Sequence, residues 1–70
     1  MVFANLQAEQ ARAMMTNQQV AEKLNLSRVS YESKKKSGRF TVFESAKLCK
    51  LFSCSFEYLF ASDDTSQKVS

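Results

Sequence analysis

The run TNQQVAEKLNLSRVSYESKKKSG, from Thr16 to Gly38, constrains the chain more than any other stretch. It holds two helical patterns separated by a three-residue break. Thr16 with Gln19 has the S/T-x-x-E/Q form of a capping box, so a helix is expected to start there. Val20, Ala21 and Leu24 then fall at i, i+1 and i+4, on one helical face. Asn25 tolerates the left-handed conformation by which a chain leaves a helix. Leu26 is apolar and plugs the corner. Ser27 caps a second helix, which runs through Tyr31 and stops near Ser37 and Gly38. Two helices joined by so short a turn cannot pack antiparallel; they cross steeply.

The second of these helices has one large apolar anchor, Tyr31. Its outward positions are Arg28, Val29, Glu32, Ser33 and Lys36. Such a helix is ordinarily a solvated surface helix. Here it lies in a basic segment. From Ser27 to Lys50 there are seven cations (Arg28, Lys34, Lys35, Lys36, Arg39, Lys47, Lys50) against Glu32 and Glu44. That local excess of +5 exceeds the net +3 of the whole chain, so the remainder is acidic. Charge gathered on one side is the electrostatic footprint of a nucleic-acid binder.

Seventy residues allow one small domain. A chain of this size buries only about 60% of its unfolded surface, so dimerisation would stabilise it. The chain has no Pro and one Gly, which favours an all-helical reading. No apolar run approaches the roughly 18 residues of a membrane span. Met1, Val2 and Phe3 give way at once to Asn5 and Gln7, unlike a signal peptide. A cytoplasmic protein is expected, with its two cysteines reduced.

Residues 3–14 read as a first helix, with Phe3, Leu6, Gln10 and Ala13 inward. The Met14–Met15 pair reads as gap-filling core, Met15 inserting ahead of the next helix. After the loop Ser37–Phe40, Thr41 with Glu44 forms a second capping box. It opens a fourth helix through Phe52, with Val42, Ala46, Leu48, Cys49 and Phe52 in the core. Ser53 marks a break. Cys54 fills a core slot, and Ser55 caps a short fifth helix over 56–60. Residues 62–70 form a polar tail, so the domain is expected to span 1–61.

Catalysis has little to stand on. There is no His, no Gly-rich phosphate loop and no G-x-S-x-G. Cys49 and Cys54 are five apart and lack the partners of a zinc site. They read as two small buried hydrophobes. No enzyme activity and no cofactor are expected.

TNQQVAEKLNLSRVSY resembles the helix-turn-helix of the lambda-repressor-like (Cro and repressor, XRE-type) regulators. Their usual run is close to T-Q-x-x-L-A-x-x-L-G-[VI]-S-x-x-[ST]-[IY]. The later run GRFTVFESAKLCKLFSCSFEYLF is similar to the rest of that domain, which ends in an L-x-V-S-x-x-x-L-like signature. The likeness covers Leu6 to Phe60. It implies an all-α, five-helix domain that binds a palindromic operator in double-stranded DNA as a homodimer. With no second domain, it implies a Cro-like repressor of a phage or mobile element, with RNA polymerase as a possible protein partner. An antitoxin with a toxin partner is one alternative. A protein-interaction module whose helix-turn-helix no longer reads DNA is another.

The resemblance also assigns residues. Arg28, Val29 and Ser33, with Asn17 at the head of the preceding helix, match positions that touch base edges in relatives. Relatives prefer Gln at the place of Asn17, and Gln18 can substitute. Arg28 can grip guanine O6 and N7, and Val29 can meet a thymine methyl. Ser27, Lys34, Lys36 and Arg39 are expected to hold phosphates, which fixes register without reading sequence. Glu32 is repelled by phosphate; it can accept from cytosine N4 or pair with Arg28. Relatives often carry Arg at the place of Gln10 and Glu at that of Lys35, a pair that ties the first helix to the third. Both are changed here, which adds Lys35 to the basic surface. In relatives the last helix forms the dimer interface. Leu59 and Phe56 suffice for the core, so Phe56, Tyr58 and Phe60 offer more aromatic surface than one short helix buries. They form the expected interface, unless Tyr58 and Phe60 simply cover the core edge.

Overall fold

Four side-chain hydroxyls set where the helices begin. Thr16 Oγ1 accepts from Gln19 N at 3.1 Å, Ser27 Oγ from Ser30 N at 3.1 Å, Thr41 Oγ1 from Glu44 N at 3.1 Å, and Ser55 Oγ from Tyr58 N at 3.2 Å. At Thr16 and Thr41 the box is reciprocal, because Gln19 and Glu44 accept from the backbone of the cap residue. The computed structural model describes residues 3–61, and the tail expected over 62–70 lies outside them. The helices are α1 (Ala4–Arg12), α2 (Asn17–Lys23), α3 (Arg28–Ser37), α4 (Val42–Phe52) and α5 (Phe56–Leu59). The described residues contain no strand, and none of their helices is long and apolar enough to cross a membrane.

Three helices end by the same two-bond closure. Met14, Asn25 and Ser53 stand at φ 58°, 60° and 55°. In each case the next residue's N–H reaches back five positions: Met15 to Gln10 O, Leu26 to Ala21 O, and Cys54 to Cys49 O. This is the Schellman arrangement, in which the left-handed residue faces away and the one after it packs inward. Met15, Leu26 and Cys54 all pack against the core. Met14, by contrast, is 87% exposed. The Met pair is therefore not a core pair; the left-handed turn throws Met14 outward. Ala13, the α1 C-cap, is also exposed rather than inward. Gly38, at φ 80°, ends α3.

Each helix contributes to one core. Leu6, Val20, Ala21, Leu24, Tyr31, Leu48 and Leu59 are buried together. An aromatic layer closes one side. Phe60 packs edge-on to Phe3 at 5.1 Å between centroids, and lies 5.9 Å from Phe40 and 5.0 Å from Phe56. Phe40 in turn lies 6.0 Å from Tyr31.

The α4 face is turned from the expected one. Ser45 and Leu48 are buried, while Val42 is 81% exposed and Ala46 is exposed. Apolar spacing alone marks Val42, Ala46 and Cys49 as a stripe. The buried stripe runs instead through small, polar Ser45, which hydrophobicity does not flag. In α5, Leu59 and Phe60 face the core and Phe56 is 59% exposed, so Phe56 is not the second core residue.

Candidate nucleic-acid interface

The outer face of α3 carries Arg28, Val29, Glu32, Ser33 and Lys36. Val29, Ser33 and Lys36 recur at i, i+4 and i+7 and line an open groove of about 770 Å³ with Glu32, Lys35, and Phe3 and Gln7 from the α1 end. Arg28, Val29, Ser33 and Lys36 are exposed, and Glu32 is half-buried.

Arg28 does not stand alone. Its Nη1 donates to Glu32 Oε1 at 3.1 Å and Oε2 at 2.9 Å. Glu32 Oε2 also accepts from Asn17 Nδ2 at 2.9 Å. The Asn17 amide, and next the Arg28 guanidinium, hold the Glu32 carboxyl below the usual carboxylate range. Asn17 is engaged on its other side as well. Its Oδ1 accepts from Gln10 Nε2 at 2.9 Å and from Lys35 Nζ at 2.8 Å. Three of the four bonding positions of its amide are thus used within the domain. Gln18, one residue on, is exposed and donates to Glu22 at 3.1 Å.

Lys35 is the residue whose place differs most from expectation. It is half-buried rather than part of the basic surface. Its ammonium donates to Gln7 Oε1 at 2.7 Å, Asn17 Oδ1 at 2.8 Å and Gln10 Oε1 at 3.2 Å, and sits 5.0 Å from the centre of the Tyr31 ring. Burial lowers its pKa, with the Glu32 charge acting in the opposite direction. Gln10, only 4% exposed, uses its whole amide. It donates to Met15 O and Asn17 Oδ1 and accepts from Lys35 and from the Tyr31 hydroxyl at 2.8 Å. Burial pushes the Tyr31 phenol's pKa up, so the hydroxyl stays a donor. Four neutral side chains and one ammonium therefore tie α1, α2 and α3 together.

The remaining cations divide into two kinds. Lys34 is tied to the α4 N-terminus by an ion pair with Glu44 at 3.3 Å and donates to Arg39 O at 3.4 Å. Lys36 and Arg39 are exposed, and their side chains make no hydrogen bond or ion pair among the described residues. The Ser27 hydroxyl accepts its cap bond and keeps its own hydrogen free to donate.

A second surface lies around α4 and α5. Phe40, Val42, Ser45, Ala46, Cys49 and Phe56 line an open groove of about 450 Å³. Phe43, beside it, is 82% exposed. Phe43 was not singled out from sequence, because it falls outside the apolar spacing expected for the core face of this helix and carries no motif. Of the three aromatics expected at an interface, Phe56 alone borders this groove. The Tyr58 hydroxyl donates to Glu9 Oε2 at 2.8 Å, and Asn5 Nδ2 donates to Tyr58 O at 2.8 Å, so Tyr58 clamps α5 to α1. Phe60 is in the aromatic layer. Among the described residues no cluster of side chains could hold a metal ion. Comparison with protein-family models, with curated proteins and with solved structures returns no match.

Proposed function

We propose that this chain is a sequence-specific, double-stranded DNA-binding regulator of the lambda-repressor-like kind, reading a palindromic operator as a homodimer in the cytoplasm. The observation that carries the reading is the outer face of α3. It is a short helix capped at both ends, anchored by one buried Tyr31, with Arg28, Val29, Ser33 and Lys36 facing out together. Arg28 suits guanine, Val29 a thymine methyl, and Ser33 either class of edge. Lys36, Arg39 and Ser27 suit phosphate oxygens around it. Lys34 joins them only where its pair with Glu44 opens. Gln18 is the polar side chain at the head of α2 that faces solvent, while Asn17 acts from behind as a brace.

A domain this small covers few base pairs, so two copies about a two-fold axis are needed to read two half-sites about 34–36 Å apart. The surface that fits a second copy is the one around Val42, Phe43 and Phe56. A projecting ring beside an open apolar groove is self-complementary under two-fold symmetry. The same patch favours a second reading, an interaction module whose helix-turn-helix no longer reads DNA and whose partner covers Phe43 and Phe56.

Selection of duplexes from a random pool at two salt concentrations separates these readings. A regulator enriches a palindrome at both. An interaction module enriches no motif at either.

A further inference from the structure

We infer that Glu32 is a positioning residue that fixes which base pair Arg28 prefers, by holding the guanidinium in one pose. The inference rests on the DNA reading above and goes one step deeper.

The carboxylate engages Arg28 through Nη1 alone, at 2.9 and 3.1 Å. A guanidinium has five N–H donors in a rigid fork. The edge formed by Nε and the other terminal nitrogen therefore stays unoccupied. That edge is one of those that can match guanine O6 and N7 with two parallel bonds. An exposed i, i+4 pair is ordinarily a loose contact worth little. This one differs because its carboxylate has a second partner on another helix, Asn17 Nδ2 at 2.9 Å. Asn17 is held in turn by Gln10 and Lys35, and Gln10 by the buried Tyr31 hydroxyl. A continuous run of hydrogen bonds thus joins Arg28 to the core. A preorganised side chain loses less freedom on binding and tolerates fewer alternative partners. Released from Glu32, Arg28 would be free to swing to a phosphate, a contact that carries no sequence information.

The test compares wild type, Glu32→Gln, Arg28→Ala and the double variant on the enriched duplex and on every single-base-pair change within it. Arg28→Ala identifies the base pair at stake. Glu32→Gln keeps the shape and an acceptor but loses the charge. Its discrimination at that base pair should fall about tenfold, with other positions unchanged. Its affinity for random duplex should be equal to or higher than wild type, since a charge repelled by phosphate is gone. The double variant should discriminate no worse than Arg28→Ala. Glu32→Asp, which withdraws the carboxylate by one methylene, should show the same loss at the same position if Glu32→Gln folds poorly. Full discrimination in Glu32→Gln, or a loss spread over all positions, overturns the positioning role and leaves the DNA reading intact. A wild-type protein that enriches no motif overturns the DNA reading and this inference together.

Discussion

Lys35 donates to Gln10 across 3.2 Å, so α1 and α3 are joined by an ammonium and an amide rather than by an ion pair. The link carries a single charge, and that charge is fully hydrogen-bonded. All three hydrogens of the ammonium have an amide oxygen within reach. A lone half-buried charge is tolerable under those conditions and costly without them.

Lys35→Met keeps the length of the side chain and removes every one of these bonds. Gln7 Oε1 is then left without a donor, while Gln10 Oε1 keeps the Tyr31 hydroxyl and Asn17 Oδ1 keeps the Gln10 amide. The expected loss of stability is about 1–3 kcal/mol, the penalty for leaving one such group unpaired. Urea unfolding followed by circular dichroism reads it directly. A variant as stable as wild type would show that the cluster contributes nothing net.

Stability should be flat from pH 7 to 5, a range with no histidine to titrate, and should fall below about pH 4.5. Glu9 is held low by the Tyr58 hydroxyl and then Arg12, and Glu32 by Asn17 and then Arg28. For Glu44, burial acts upward but is outweighed by the Thr41 backbone N–H and Lys34. Each carboxyl has a lower pKa folded than unfolded. The unfolded chain then binds more protons as the pH falls, and the stabilisation present above the unfolded pKa is lost. Thermal melts across this range check the sign; a midpoint that rises on acidification contradicts it.

Lys36→Ala and Arg39→Ala should each weaken binding to specific and random duplex alike. Each should flatten the plot of log affinity against log salt by about one unit. Lys34→Ala should flatten it less and destabilise the fold instead, because Lys34 is already paired with Glu44. Salt titrations of the three variants check this, and an unchanged slope removes a residue from the phosphate set.

Phe43→Ser and Phe56→Ser should leave the melting temperature of the monomer, read at concentrations too low for self-association, nearly unchanged, since both rings are largely exposed. Each should weaken self-association by about tenfold or more, as loss of a central aromatic does at an interface. Tyr58→Ala should behave differently and lower stability, because it releases Glu9. Sedimentation equilibrium together with thermal melts distinguishes the two patterns. Self-association untouched by either Phe variant would place the contact elsewhere.

Helix starts and stops were legible because they are local. Thr16, Ser27, Thr41 and Ser55 cap helices by contacts three residues away, and Asn25 leaves a helix with its own side-chain chemistry. Ser53, read as a break, takes the same turn, whereas Met14 adopts it without a residue type that announces it. Burial was legible where apolar periodicity was unbroken, as at Val20, Ala21 and Leu24. It failed on α4, where Ser45 takes a buried position and Val42 and Phe43 are left outside. The polar cluster was legible only in part. Gln10 reads as inward, and the resemblance pairs its place with that of Lys35, but Asn17 and Lys35 read as surface residues, and the three stand 7 to 25 positions apart. Their shared hydrogen bonds exist only in the folded chain, where Lys35 leaves the basic surface it was expected to join.

The most direct test of the DNA-reading face is an amide chemical-shift titration of the labelled protein with the duplex that selection enriches. The account predicts the largest changes at Arg28, Val29, Ser33 and Lys36, with Gln18 and Arg39 at the margins. Changes confined to the α4–α5 surface around Phe43 and Phe56, with α3 unperturbed, would contradict it.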